Sequence, residues 1–134
     1  MTESDATAFC RHWLALWTGN RPEALLACYA ETAFYRDPGQ PRGLTGIAAL
    51  RPYFTALLAA NPDWQWDVVE VMPTAAGFTL KWRARIPVGA TTIEEEGLDI
   101  VEVDAAGRIT RNEVYFDRVA WKKAHNAQRS LQAD

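Results

Sequence analysis

Apolar and polar residues alternate strictly between residues 78 and 86, and this pattern constrains the fold more than any other in the chain. The apolar positions are Phe78, Leu80, Trp82, Ala84 and Ile86, and the positions between them are Thr79, Lys81, Arg83 and Arg85. Because successive side chains of a strand point to opposite faces, the pattern predicts a strand with one buried face and one solvated face.

The remaining residues after position 63 also form strand patterns. Residues 64–72 alternate at first and then shift phase at Val68 and Val69, which predicts a β-bulge. Turn sequences at 74–77, 87–90 and 104–107 separate this segment from strands predicted at 78–86, 91–103 and 108–116. A short C-terminal helix is predicted at 118–126.

Helical spacing governs the part of the chain before residue 63. The stripe that predicts the first helix is Phe9, Trp13, Leu16 and Trp17. Pro22 marks the first turn of a short second helix, and Thr45 is predicted to cap a third, in which Pro52 causes a kink or a late start. Helices followed by a meander of strands predict an α+β fold, with a curved antiparallel sheet wrapped around three N-terminal helices and a short C-terminal helix.

Length, charge and composition limit the classes of function that the chain can have. The chain has 134 residues, which fit one domain spanning 1–134, and its net charge of -3 with no basic stripe argues against a nucleic-acid partner. It shows no signal-peptide pattern at its start and no apolar run that could cross a membrane.

Cys10 and Cys28 fit no metal or redox spacing, so we expect free thiols in a cytoplasmic protein. The six tryptophans indicate either an unusually aromatic core or a cavity with flat apolar walls.

Asp37 is the first candidate for chemistry. It lies between the aromatic stretch 33–36 and the turn that begins with Pro38 and Gly39. Proline favours an extended conformation in the residue before it, so Asp37 is predicted to end a strand and to face the space that the following loop leaves open. The alternative is that Asp37 only starts the turn, as aspartate often does before proline.

Asp99 is the second candidate. Strand alternation places it on the same face as Gly97 and Val101. It is therefore either a desolvated carboxylate near a cavity, with a raised pKa, or the partner of Arg83 or Arg85 on a neighbouring strand.

Other catalytic groups have no support in the sequence. Neither His12 nor His125 has a partner at metal-ligand spacing, so no metal is expected and a histidine-based triad is unsupported. Ser4 and Ser130 are the only serines, and both are terminal. The run 94–96 of three glutamates is predicted to be a solvated strand edge.

Several short motifs together resemble the nuclear transport factor 2-like superfamily, whose cone-shaped fold includes steroid delta-isomerases, SnoaL-type polyketide cyclases and limonene epoxide hydrolases. The motifs are the helix end at 25–30, the Asp37-Pro38 turn, residues 43–47, the Gly97-Leu98-Asp99 stretch, and the segment 107–117. The resemblance covers about residues 9–121 and is specific for the fold rather than for one activity.

The steroid isomerase pattern implies roles for individual residues. Asp37 matches the general base of that family. Asp99 matches its second aspartate, which stays protonated in an apolar site and donates a hydrogen bond to the enolate oxygen. Trp13 and Phe54 stand where that family has two tyrosines. In the cyclases and epoxide hydrolases the resemblance implies an acidic catalytic residue near position 114, where this chain has Val114.

The resemblance thus implies a protein that binds a hydrophobic, carbonyl-bearing small molecule and transfers a proton without a cofactor, as an isomerase or cyclase. Asp37 would be the base, with Asp99 and Trp13 as donors. The residues expected to contact the ligand are Trp13, Tyr53, Phe54, Trp82, Val101, Asn112, Val114 and Phe116. The alternative is a non-catalytic binding or dimerisation module of the same fold. Leu98 and Ile100, on the opposite face of the strand from Asp99, predict a homodimer through the outer face of the sheet.

Overall fold

In the computed structural model, which describes residues 1–133, four helices and six strands follow one another along the chain. Their bounds are α1 Glu3–Ala15, α2 Pro22–Leu26, β1 Tyr29–Asp37, β2 Gln40–Thr45, α3 Ile47–Ala60, β3 Gln65–Pro73, β4 Gly77–Val88, β5 Thr91–Val103, β6 Ile109–Tyr115 and α4 Val119–Ala133. The predicted α+β fold with three N-terminal helices is confirmed.

The six strands form one curved sheet in the order β2-β1-β6-β5-β4-β3. All neighbours are antiparallel except β1 and β6, which run parallel. The long antiparallel run from β3 to β6 is the predicted meander, and its bulge is confirmed by a shift of register between Val68 and Glu70. Pairing of β1 with β6 brings Asp37, at the end of β1, next to the last residues of β6.

Two local predictions were wrong. Thr45 does not cap α3: it is the last residue of β2 and pairs with Phe34, while Gly46 occupies the cap position and α3 begins at Ile47, so Pro52 lies inside the helix without delaying its start. The Pro38-Gly39 turn therefore closes a hairpin that no sequence pattern had indicated. The C-terminal helix is also longer than predicted and continues to Ala133.

The buried core lies between the helices and the inner face of the sheet. All five apolar positions of the alternating pattern in β4 are buried there, as predicted. On the outer face, Arg83 pairs with Glu96 of β5 and Arg85 with Asp67 of β3. None of the helices in the described part of the chain has the length and hydropathy needed to cross a membrane.

Candidate functional site

A cavity of about 120 Å³ opens between the helices and the inner face of the sheet. A buried water needs roughly 10–15 Å³ on the same measure, so the space admits a small organic molecule. The cavity is lined by Leu14, Trp17, Tyr35, Asp37, Gly39, Tyr53, Leu57, Trp64, Trp66, Trp82, Ile86, Asp99, Val114, Phe116, Arg118 and Trp121. Five of the six tryptophans are in this set, and four of the six belong to the buried core, so both explanations for their number, an aromatic core and a cavity with flat apolar walls, hold.

Asp37 stands at one end of the cavity and accepts four hydrogen bonds. One carboxylate oxygen accepts from the hydroxyl groups of Tyr35, at 2.7 Å, and Tyr53, at 2.6 Å. The other accepts from the backbone N–H groups of Gly39, at 2.8 Å, and Gln40, at 2.9 Å. The turn predicted from Pro38 and Gly39 provides the backbone donors, so both interpretations of Asp37 hold: it starts the turn and it faces the cavity.

These four donors fill the acceptor sites of an ionised carboxylate, which has about four lone pairs. Three of them are fixed, two by the hairpin turn and one by the buried ring of Tyr35, which packs edge-on against Phe54 at 5.0 Å. Tyr53 is only partly buried. For Asp37 to accept a proton from a ligand, the Tyr53 hydroxyl has to turn away first.

Asp99 lies deeper in the cavity wall, with a relative exposure of 4%. One of its oxygens accepts from the indole N–H of Trp82 at 2.7 Å, and the other from the side-chain amide of Asn112 at 3.0 Å. Burial raises the pKa of Asp99 from 3.8 to about 6, the charge of Asp37 adds to this rise, and the hydrogen bonds from Asn112 and Trp82 oppose it. Asp99 therefore keeps its proton to a higher pH than an ordinary aspartate does.

The ion-pair alternative for Asp99 was wrong. Arg83 and Arg85 lie on the outer face of β4, where they pair with other carboxylates. Asp99 makes no salt bridge to any residue within 1–133. Its negative charge is thus held only by neutral donors.

Gly97 allows Trp82 to reach Asp99. Gly97 of β5 lies directly opposite Trp82 of β4, and a Cβ at position 97 would lie 2.3 Å from the Trp82 ring. Trp82 also packs edge-to-face on Trp66 at 4.9 Å and on Phe116 at 5.7 Å. The indole is therefore fixed both as part of the cavity wall and as a hydrogen-bond donor.

The structure separates the residues expected to contact the ligand into two groups. Tyr53, Trp82, Val114 and Phe116 line the cavity. The members that do not line it, all of them fully buried, are Trp13, Phe54, Val101 and Asn112.

Trp13 packs in the core against Phe9, Trp17 and Phe78. Its indole N–H, which was expected to donate to an enolate, is directed at the hydroxyl of Tyr29, and Trp13 does not line the cavity. Trp13 lies on the buried face of α1, as predicted, but Leu16 and Trp17 of the predicted stripe follow the helix, which ends at Ala15. Phe78 of β4 packs against the Trp13 ring.

Several lining residues were missed. Trp17 lies one turn after Trp13 on the predicted stripe, and Trp64 and Trp66 belong to the alternating pattern at residues 64–68, of which β3 begins only at Gln65. Their burial could be predicted but not their contact with the cavity. Trp121 of α4 and Arg118, directly before α4, line the cavity because α4 packs against β4 and β5, which no local pattern indicates.

Arg118 is the cationic side chain in this lining set, and it lies at the rim. A Cβ at Gly39 would lie 3.3 Å from Asp37 Oδ1, 3.5 Å from the Tyr53 hydroxyl and 3.6 Å from the Arg118 guanidinium, so these three groups surround the same glycine. Within residues 1–133, no three histidine, cysteine or acidic side chains come together as a metal site would require.

Comparison with known proteins gives a family and a fold. A family model described as SnoaL-like domain matches residues 10–112. No curated protein matches the chain. A SnoaL-like protein of unknown function from Burkholderia thailandensis is 18% identical with a TM-score of 0.73, over 87% of this chain and 98% of that chain.

Two further solved structures with the same fold contain small molecules. TerC co-crystallised with polyporic acid is 14% identical with a TM-score of 0.75, over 90% of this chain and 98% of that chain. A Mycobacterium tuberculosis protein in complex with estradiol-17β-hemisuccinate is 20% identical with a TM-score of 0.70, over 84% of this chain and 93% of that chain. At these identities the likeness concerns the fold alone.

Proposed function

The chain belongs to the SnoaL-like domain family, and we propose that its cavity binds a hydrophobic, carbonyl-bearing small molecule and moves a proton on that molecule without a cofactor. The observation that carries the proposal is the position of Asp99, a buried acid in an aromatic cavity wall with a pKa of about 6. A carboxyl group that keeps its proton in an apolar site can donate a hydrogen bond to the negative charge that develops on a carbonyl oxygen. Concave, mostly apolar sites with a few polar groups are the usual form of a small-molecule site.

The proposed reaction uses the two aspartates in different roles. A carbon next to the carbonyl gives its proton to Asp37, and the bonding electrons pass to the carbonyl oxygen. Protonated Asp99 donates a hydrogen bond to that oxygen and stabilises its developing charge. Return of the proton from Asp37 to another carbon of the same molecule completes an isomerisation, so no other reactant is consumed.

The geometry adds a condition to the role of Asp37. Because Tyr53 occupies one lone pair of its carboxylate, the base becomes available only when that hydroxyl turns to another acceptor. Tyr53 is only partly buried, so its hydroxyl can turn to a polar group of the ligand other than the oxygen at Asp99, and Arg118 lies beside it near Gly39. In this proposal Asp99, and not Trp13, donates to the developing oxyanion.

The similar structures support small-molecule binding by this fold, since one contains estradiol-17β-hemisuccinate and another contains polyporic acid.

Proton exchange on a simple ketone tests the proposal. We expect the protein to accelerate the exchange of the α-protons of 2-tetralone in D2O, followed by NMR, above the rate in buffer. Asp99→Asn should lower the accelerated rate by at least about tenfold, because an amide is a weaker hydrogen-bond donor to a developing oxyanion than a carboxylic acid, and loss of such a donor costs roughly 100-fold or more. Glu94→Gln, an exposed change on the same strand, serves as the matched control and should leave the rate unchanged. Exchange no faster than in buffer would contradict the proton-transfer function.

A non-catalytic binding module is the second candidate, and the four hydrogen bonds to Asp37 favour it, since they leave that carboxylate without a free lone pair. Quenching of tryptophan fluorescence by 2-tetralone without accelerated exchange would decide for this alternative.

We also propose a homodimer through the outer face of the sheet. Leu98 and Tyr115 lie opposite each other on that face and are 40% and 42% exposed, and half-buried Ile100 lies beside them. Apolar groups in such a position are typical of an interface. Light scattering at micromolar concentration should report the mass of a dimer, and Leu98→Glu should report that of a monomer. Monomer alone for the unmodified chain would rule out this assembly.

The free cysteines bear on location. Cys10 is buried and Cys28 is half-buried, and neither forms a disulfide. Free thiols are common in reducing compartments, which supports our proposal of a cytoplasmic protein.

A further inference from the structure

A chain of buried polar side chains leads away from Asp99 to a tyrosine that does not touch the cavity. The hydroxyl of Tyr29 donates to the side-chain carbonyl of Asn112 at 2.8 Å, and the amide nitrogen of Asn112 donates to Asp99 at 3.0 Å. Trp82 donates to Asp99 from the other side at 2.7 Å. Each of the four residues comes from a different strand, β1, β6, β5 and β4, and all four are buried.

The direction of these hydrogen bonds decides where a proton on Asp99 can go. An indole N–H is a donor only, so Trp82 cannot accept the proton. Asn112 presents its NH2 group to Asp99 and keeps its carbonyl oxygen for Tyr29, so it cannot accept the proton either. A protonated Asp99 held in this way has one direction left for its O–H, which is the cavity.

Tyr29 keeps Asn112 in this orientation. If the amide turned over, its carbonyl would face Asp99 and accept the proton, while its NH2 group would face the oxygen of Tyr29. The Tyr29 hydroxyl has no other hydrogen-bond acceptor among residues 1–133, so the turn would leave a buried O–H unpaired. An unpaired buried donor costs about 1–3 kcal/mol, which makes the turned amide unfavourable.

We propose that Tyr29 is a positioning residue which, through Asn112, directs the proton of Asp99 into the cavity and onto the oxygen of the ligand. The inference rests on the proposed function of the site and adds a residue outside the cavity to it. It also narrows the ligand class, since the group that meets Asp99 has to be a hydrogen-bond acceptor such as a carbonyl oxygen.

The titratable side chains that face Asp99 come from several elements. From α1, Cys10 is a neutral thiol, because burial, with the charge of Asp99 as a second cause, raises its pKa to about 12. Tyr29 is a neutral phenol, because burial raises its pKa well above the usual value. Asp37 faces Asp99 across the cavity and adds to the rise of its pKa. Tyr53 and the positive Arg118 complete the lining on the side of the rim.

Two variants with opposite expected results test the inference. The readout is the ratio of the affinities for 2-tetralone and for tetralin, which lacks the carbonyl, measured by tryptophan fluorescence. In the wild type the ratio should favour the ketone and fall as pH rises through about 6, when Asp99 loses its proton. Tyr29→Phe should lower the ratio by about fivefold, the equivalent of one hydrogen bond, because the freed amide turns and takes the proton of Asp99. Tetralin affinity should not change.

Asn112→Leu should keep the ketone preference, because leucine offers the Asp99 proton no internal acceptor. Its pH midpoint should move upward, since the hydrogen bond from Asn112 lowers the pKa of Asp99. If Tyr29 and Asn112 only stabilised the fold, both variants would instead lose the preference for the ketone together.

The outcomes separate this inference from the proposed function. A wild type that binds both compounds equally overturns the proposed function and this inference with it. A wild-type preference that survives in Tyr29→Phe, or that is lost to the same extent in Asn112→Leu, overturns the inference alone.

Discussion

Asp99→Asn should become more stable relative to the wild type as pH rises from about 4 to about 8, by about 2–3 kcal/mol in the free energy of unfolding. The folded pKa of Asp99, about 6, is above the unfolded value of 3.8. Below the unfolded pKa the carboxyl is neutral in both states and the burial has no ionic cost. Between the two values only the unfolded chain ionises, so the stability of the wild type falls, and above the folded pKa the loss is complete. Asparagine does not ionise and removes this dependence.

Urea denaturation of both proteins at several pH values gives the difference directly. Any constant effect of asparagine on the contacts to Trp82 and Asn112 cancels in the comparison between pH values. Glu96→Gln is a matched control on the outer face of the same strand: the hydrogen bond from Arg83, with the charge of Lys81, lowers the pKa of Glu96, so this variant should show the opposite trend. A difference for Asp99→Asn that is flat, or that decreases with pH, would mean that Asp99 is not a desolvated acid.

Asp37→Ala should lower the free energy of unfolding by about 3 kcal/mol, because it removes the common acceptor of four hydrogen bonds. The Tyr35 hydroxyl is buried and would lose its partner, whereas the N–H of exposed Gly39 can bind water instead. Asp37→Asn keeps one acceptor oxygen and should lose about half as much. Urea midpoints at neutral pH measure both losses.

Tyr35→Phe provides the control for this prediction. In the wild type, Tyr35→Phe removes a hydrogen-bond donor to Asp37. In the Asp37→Ala variant the Tyr35 hydroxyl has already lost its acceptor, so Tyr35→Phe should lower the free energy of unfolding by less in that variant. An Asp37→Ala variant as stable as the wild type would show that the hydrogen-bonded arrangement around Asp37 does not hold the hairpin and α3 together.

The sequence predicted the elements that carry the site better than it predicted the contacts within the site. Strict alternation in β4 was sufficient to place Trp82 on the inner face, because strand geometry leaves no other choice. Alternation in β5 put Asp99 on the face of Gly97 and Val101 but left open whether it meets the cavity or an arginine. It could not show that Gly97 leaves room for the Trp82 ring, since that contact depends on the register between two strands.

The missed hairpin has a local cause. Residues 43–47 contain two glycines and a threonine, which favour a turn or a helix cap as readily as a strand, and pairing with β1 decided the outcome. Arg118 and Trp121 could not be assigned to the cavity because the path of α4 is set by tertiary packing. Periodicity likewise predicted that Asn112 points inward, but only the structure shows that it touches Asp99 rather than the cavity.

In the proposed function, a carbonyl-bearing ligand binds in the aromatic cavity with its oxygen against Asp99. A crystal structure of the protein with 2-tetralone would show this arrangement. We expect the rings between Trp66, Trp82 and Trp121, and the ketone oxygen within about 3.2 Å of an Asp99 oxygen. A ketone bound outside the cavity, or inside it with its oxygen directed away from Asp99, would contradict the proposal.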